Sequence, residues 1–357
     1  MTTHKIAIFA GDGIGPEVVR EGLKVLSAVA ELDGFKLETH EYPFCSEHYL
    51  KTNELMPESI WDDLRQFDAI FLGAIGDPRV EVGLVERAII AGIRFKLDLY
   101  INLRPIKLYS ETQCPLKNKS CADIDMVIVR ENTEGIYTAL GGIMKKGTAD
   151  EIAIAESVWT KKGCRRAIKY AFEIARKRNK DKKVTLIDKA NAVRAMDIWT
   201  RTFEEIGVDY PDITRDHAYI DAACMWMIKN PEWFDVAVTD NMFGDIITDL
   251  GAMIQGGMGI AASGNIHPGQ VSMFEPIHGS APKYSGKNVA SPIAAIMAAS
   301  MMLDFLGEAS GSARIEQAVT QLLSDGSIPS LDAHSGLKTD QIGDLVARAV
   351  TDIAVKA

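Results

Sequence analysis

The sequence predicts an α/β protein with a mostly parallel, doubly wound sheet divided between two domains. Three observations predict it. Short apolar runs alternate with amphipathic helical patterns along most of the chain. A length of 357 residues exceeds one ordinary core, and 47% hydrophobic with 25% charged residues is a globular composition.

The elements follow in order. "KIAIFAG" reads as a buried strand and "PEVVREGLKVLSAVAEL" as the helix after it. Between them Gly11, Gly13 and Gly15 are spaced G-x-G-x-G, so the G-x-G-x-x-G dinucleotide fingerprint is not met and a Rossmann fold is not indicated. This turn reads either as a tight strand-to-helix connection, with Pro16 opening the helix, or as a phosphate contact. "AIFLGAI" and "VERAIIAGIRFKL" repeat the strand-helix pattern, and "DMVIVRE", "VTLIDKA" and "FDVAVTDN" each begin another round. "GGIMKKGTADEIAIAESV" is different: residues 151–158 alternate, which predicts an extended arm near residues 140–158 that serves subunit contact. "ARKRNKDKK" is expected to be a solvated basic helix end that complements the helix dipole.

Composition narrows the function. A formal charge of −10 argues against a nucleic-acid or anionic-membrane partner. No apolar run has the length of a membrane span, and "MTTHKIAIFAGDGIG" lacks a secretory pattern, so a cytoplasmic location is expected. Cys45, Cys114, Cys121, Cys164 and Cys224 are odd in number with no CxxC spacing, and are expected to be reduced thiols.

"TDNMFGDIITD" carries the most chemistry. Asp245 and Asp249 lie four apart and share a face if the segment is helical, at a repulsive cost of about 0.2–0.5 kcal/mol. Replacing Asp245 by Asn is then expected to raise the stability of the metal-free protein by a few tenths of a kcal/mol. The ordinary reading puts both acids in the first helical turn, where the dipole favours them. Their position after a strand instead suits a ligand site, and their oxygens suit Mg²⁺. Arg94, Arg104 and Arg130 suit bidentate grip on carboxylates. With Lys189 and Tyr137 they describe a site for an anionic, metal-chelating substrate.

Seven motifs in order, "GDGIGPEV", "INLRP", "VRENTEGIY", "DKAN", "YIDAA", "TDNMFGDIITD" and "FEPIHGSAP", resemble those of the β-decarboxylating isocitrate/isopropylmalate dehydrogenase family, most closely its isopropylmalate branch. The resemblance runs from Ile6 to about Leu306. It implies the two-domain fold of that family and oxidative decarboxylation of a 3-substituted malate with hydride transfer to NAD or NADP; 3-isopropylmalate would give 2-oxo-4-methylpentanoate in leucine biosynthesis. It also implies a homodimer with shared active sites. Arg94, Arg104 and Arg130 would hold the substrate carboxylates, and Ile90 the 3-substituent. Asp245 and Asp249, with Asp221 from the neighbouring subunit, would bind Mg²⁺ or Mn²⁺, leaving Asp240 a supporting role. Lys189, also from the neighbour, would assist removal of the hydroxyl proton, and Tyr137 would supply the final one. Glu275, His278, Gly279, Ser280 and Ala281 match the adenosine loop of the cofactor site.

Two departures refine this. After "GSAP" the NAD-using relatives carry Asp-Ile, whereas Lys283-Tyr284 here resembles the pair that meets a 2′-phosphate in NADP-dependent isocitrate dehydrogenases. No Arg stands in "LLSDGSIPSLDAHSG", and Ser291 replaces a usual Asn. No Ser stands near Ala88, which disfavours isocitrate, while Ile89 and Ile90 keep the apolar character and Ala91 and Gly92 are smaller than usual, leaving alkyl-, aryl- and other malates as alternatives. A Mg²⁺-dependent phosphoryl-transfer enzyme would use the same acids but lacks its phosphate loop, and a silent binding protein would not need all these groups. Residues 1–100 and 253–357 are expected to form the cofactor domain and 101–252 the substrate and dimerisation domain, with the site in the cleft between them.

Overall fold

The computed structural model describes residues 2–333 and 335–356, with side chains as far as 353 in the last helix. Its strands in chain order are β1 (Thr3–Gly11), β2 (Lys36–Glu41), β3 (Ala69–Ala74), β4 (Ile101–Lys107), β5 (Asp125–Glu131), β6 (Gly135–Met144), β7 (Ile152–Val158), β8 (Lys183–Asp188), β9 (Thr214–Tyr219), β10 (Val236–Thr239), β11 (Ala262–Ile266) and β12 (Ser272–Pro276). The chain divides into one compact unit of Met1–Leu99, Pro105–Ile124 and Ala252–Ala357 and another of Tyr100–Arg104 and Asp125–Gly251.

In the first unit the strand order is β2-β1-β3-β12-β11. β1 runs parallel to β2 and β3, β12 runs parallel to β3, and β11 pairs antiparallel with β12. Every residue of β3 is buried, because helices cover both faces of a parallel sheet. Ala7, Phe9, Ile70 and Leu72 pack on one face with Trp61, Leu64, Ile89 and Ile93. Helix Gly15–Asp33 packs against helices Ile293–Phe305 and Thr339–Lys356. The helix expected over "VERAIIAGIRFKL" is interrupted: Arg87–Ala91 widen into a π turn, with the Gly92 amide reaching back to the Arg87 carbonyl. A Cβ at Gly92 would stand 3.0 Å from the Trp61 ring, so glycine lets this turn close on the core.

In the second unit the order is β4-β5-β10-β8-β9, with β10 parallel to β5 and β8, and β8 parallel to β9. Helix Lys161–Arg178 starts where Thr160 Oγ1 accepts the Gly163 amide at 3.0 Å, a standard N-cap. Phe172 stacks on Phe203 at 5.4 Å and on Tyr210 at 4.8 Å in its core. β6 and β7 form a separate antiparallel hairpin.

Two expectations need correcting. Residues 105–124, assigned by sequence to the second domain, group with the first unit, because Lys107 donates its amide to Gln255 Oε1 at 3.0 Å and Gln113 Nε2 reaches the Pro329 carbonyl at 3.3 Å. The basic helix end is not simply solvated. Arg178 is largely buried between Asp125 at 3.0 Å and Asp235 at 2.9 Å, a fully buried acid whose charge needs that partner. Among the described residues no helix is long and apolar enough to cross a membrane. Cys164 is buried and the other four thiols are half-buried, all free.

Candidate active site

Helix Asn241–Ile254 follows directly on β10. Asp240 ends the strand segment and caps the helix: its Oδ1 accepts the Phe243 amide at 2.9 Å and its Oδ2 accepts Trp159 Nε1 at 3.2 Å. Burial pushes the Asp240 carboxyl above its usual range. With the helix starting at Asn241, Asp245 and Asp249 fall in its second and third turns. The first-turn dipole explanation therefore fails, and their charges are balanced by side chains instead.

That balance comes from Arg104 on β4 and Arg130 near the end of β5, whose side chains are 6% and 3% exposed. Arg130 Nη1 donates to Asp245 Oδ1 at 2.5 Å, while its Nε and Nη2 both donate to Asn241 Oδ1, at 3.0 and 2.7 Å. Arg104 lies 3.7 Å from Asp245 and 3.5 Å from Asp249, and donates to Thr248 Oγ1 at 2.6 Å. Gly244 permits this, since a Cβ there would stand 2.5 Å from Arg130 Cγ. Asn241 and Thr248 were not singled out by sequence. Their signal was the helical spacing 241, 245, 248, 249, which puts all four on one face.

Tyr137, on β6, donates its hydroxyl to Asp245 Oδ2 at 2.9 Å, and its ring lies 5.8 Å from the Arg130 guanidinium. Burial, then the Asp245 carboxylate, pushes the phenol up to about 12, so it holds its proton at neutral pH. Burial also raises the Asp249 carboxyl, with Arg104 opposing and Asp245 adding to the rise. The contacts argue against the expected stabilisation from removing the Asp245 charge: this carboxylate is already compensated by two nearly buried guanidinium groups, and it compensates them in turn.

Lys189 and Asp221, both expected to act in a neighbouring subunit's site, pair with each other at 2.7 Å, and Lys189 draws the Asp221 carboxyl below its usual range. Asp221 is exposed at the first turn of helix Ile220–Lys229. His217 lies 3.1 Å from the fully buried Asp188 beside Lys189, and that contact raises the imidazole.

The remaining predicted residues lie in the first unit. Arg94 Nη2 donates to Glu275 Oε1 at 2.8 Å, and Glu275 also accepts from Asn265 Nδ2 at 2.8 Å. Arg94 is therefore held by a carboxylate of its own unit. Ile90 is half-buried on the π turn, whereas Ile89 belongs to the core. The stretch from His278 to Ser291 is a loop: Gly279 is open, Ser280 is buried, Ala281 adopts a left-handed φ of 41°, and Lys283 is exposed with its ammonium 4.6 Å from the Tyr284 ring centre. Ser291 is buried, its hydroxyl 3.4 Å from the Gly259 carbonyl. Of the two readings of the glycine turn, the tight connection is the one built here: a Cβ at Gly13 would stand 1.9 Å from the Ser280 carbonyl oxygen, and the Ile14 amide bonds that oxygen at 2.9 Å.

The donor set fits a hard divalent cation. Asp245 and Asp249 are 39% and 61% exposed, one turn apart, and offer only oxygens. Among the described residues no three acidic, thiol or imidazole groups converge. The loop fits a nucleotide: His278 Nε2 is buried without a hydrogen-bond partner, and burial holds the imidazole below its usual range.

Nearly buried arginines beside exposed carboxylates, on an α/β frame, are a set of groups suited to a small polyanion, and what the chain resembles agrees with an enzyme of that class. The isocitrate/isopropylmalate dehydrogenase family matches residues 5–346, and the chain belongs to that family of decarboxylating dehydrogenases. It is 47% identical over 354 residues to the 3-isopropylmalate dehydrogenase of Thermobifida fusca (strain YX), covering 98% of each chain. It is 45% identical over 350 residues to that of Corynebacterium glutamicum (strain R), covering 97% of this chain and 99% of the relative. Among solved structures, the isocitrate dehydrogenase of Methylococcus capsulatus superimposes with a TM-score of 0.85 at 36% identity, covering 97% of this chain and 99% of that one. The TT0538 protein of Thermus thermophilus gives 0.85 at 32% identity, covering 97% and 68%.

Proposed function

We propose that this protein oxidatively decarboxylates a 3-substituted malate, with 3-isopropylmalate the leading substrate and 2-oxo-4-methylpentanoate its product, in leucine biosynthesis in the cytoplasm. The observation that carries the reading is the convergence of Arg104, Arg130 and Tyr137 on Asp245. Arg104 and Arg130 bind the substrate's carboxylates. Asp245 and Asp249, with Asp221 of a second copy, hold Mg²⁺ or Mn²⁺. When bound, the cation supplies a Lewis acid at the hydroxyl and carboxylate, and NAD or NADP supplies the hydride acceptor. Lys189 of the second copy would assist removal of the hydroxyl proton, its ammonium stabilising the oxygen anion that forms while the proton passes to solvent. Tyr137, holding its proton at neutral pH, donates it to the substrate carbon that has lost CO₂.

A homodimer is part of this reading. Leu140, Ile143, Ile152 and Ile154 are exposed on the β6–β7 hairpin, and Met225 and Ile246 on helices, which are apolar costs that a second copy would relieve. Lys283 supports use of NADP, because an exposed ammonium beside a phenol suits a 2′-phosphate. Small Ala91, at the end of the π turn, and Gly92, just after it, favour a second reading, a malate with a different alkyl or aryl group. Steady-state assay of alkyl- and arylmalates, isocitrate and tartrate with both cofactors tests this: an alkylmalate should have the highest kcat/KM, and turnover of isocitrate alone would refute the proposal.

A further inference from the structure

Glu17 stands in the first turn of helix Gly15–Asp33, is buried, and has no place in the chemistry above. Its Oε1 accepts the Gly286 amide at 2.6 Å and its Oε2 accepts the Asn288 amide at 3.0 Å. Both donors sit at left-handed positions, with φ of 71° and 56°. One carboxylate thus satisfies two backbone amides of the stretch that follows Lys283 and Tyr284. The other side of the same stretch is fastened to the glycine turn before Glu17: Ser285 Oγ donates to the Gly13 carbonyl at 3.1 Å, and the Ser280 carbonyl accepts the Ile14 amide. Asn288 continues the chain of contacts, accepting the Thr339 amide on its carbonyl at 3.0 Å and the Asp340 amide on its side chain at 3.2 Å.

We infer that Glu17 is a positioning residue for nucleotide binding: it acts through Gly286 and Asn288 to hold the loop bearing Lys283 and Tyr284 in the conformation that receives the adenosine half of the cofactor. The inference rests on the reading of that loop as the adenosine site. The physical reason for a carboxylate is that it offers acceptors only, and charge-assisted bonds to amides are the strong ones. Pro282, Lys283, Ser285, Gly286 and Lys287 are exposed, so the loop has little apolar packing to fix it. A carboxamide at position 17 would turn an NH₂ toward one of the two amide donors and leave that amide unsatisfied. The loop would then sample other conformations, and binding would weaken in inverse proportion to the fraction of time the loop still spends in the binding one.

The test is calorimetric titration of the full-length protein with NADP, 2′,5′-ADP and ADP, for the unmodified protein, Glu17→Gln, Ser285→Ala and, as a control on the loop, Lys283→Asp. Glu17→Gln should weaken all three ligands by about tenfold, and Ser285→Ala by a smaller factor in the same direction. In steady-state assays the cofactor's KM should rise severalfold more than the malate's. Lys283→Asp should weaken NADP and 2′,5′-ADP but not ADP. If Lys283→Asp behaves so while Glu17→Gln and Ser285→Ala only lower Tm and leave the dissociation constants unchanged, Glu17 is merely structural and the inference is overturned. If Lys283→Asp changes none of the three ligands, the loop is not the adenosine site, and the reading beneath the inference falls with it.

Discussion

Asp245 has three jobs within hydrogen-bonding reach: it balances Arg130, it accepts from Tyr137 and, in the proposed reaction, it ligates a cation. Its neutralisation therefore has two consequences. Asp245→Asn should cut turnover by at least about a hundredfold, since a Lewis-acid contribution of several kcal/mol is at stake. It should also destabilise the metal-free protein rather than stabilise it, because Arg130 is left nearly buried without its anion. Removing one partner of a fully buried pair costs about 3–5 kcal/mol; with Asp245 at 39% exposure, solvent screening reduces this to about 1–2 kcal/mol. Thermal unfolding in chelator decides the sign. A Tm at or above that of the unmodified protein would mean that repulsion between Asp245 and Asp249 outweighs the pairing with arginine.

At the scale of elements, the β8–β9 edge braces the turn that carries Lys189. Asp188 ends β8 with Oδ1 accepting the Ala190 amide at 3.0 Å, and His217 on β9 reaches the same oxygen. The hydrogen bond to Asp188 is the main cause of the raised imidazole, with Asp216 and Glu204 adding to it and burial opposing. A histidine raised in the folded state contributes stability that is fully present below its unfolded value of about 6.5 and is lost as pH rises through the higher folded value. His217→Phe should accordingly lose more Tm at about pH 5.5 than at about pH 8.5. Equal losses at both would show that the imidazole is neutral throughout and that only its packing matters.

For the whole molecule, the Lys189–Asp221 pair makes assembly the deciding question. In the proposed mechanism both residues serve a second copy's site, so activity should track the dimer. Dilution followed by sedimentation and by assay should give superimposable transitions, and a fully active monomer would rule out the shared site. Substituting charged residues at Met225 and Ile246 should shift both transitions to higher protein concentration.

The sequence by itself determined the alternation of strands and helices, the family, and the identity of the residues in the acid and arginine cluster. These were legible because buried strands and helix faces write their periods into neighbouring residues, and because functional groups recur at the ends of those strands in short motifs. The interruption of the helix at Arg87–Ala91 was not legible, since a π turn adds one residue to a pattern that still reads as helical. Partnership was not legible either. Arg130 and Asp245 are 115 residues apart, Arg94 and Glu275 are 181 apart, and Glu17 is 269 and 271 from the two amides it holds. A local pattern records which face a residue occupies but carries nothing about which distant group meets it there. The tertiary structure therefore decided that Asp245 is a balanced charge rather than a repelled one, that Arg94 is held by Glu275, and that the glycine turn fastens a loop, because each follows from long-range contacts that only the folded chain brings together.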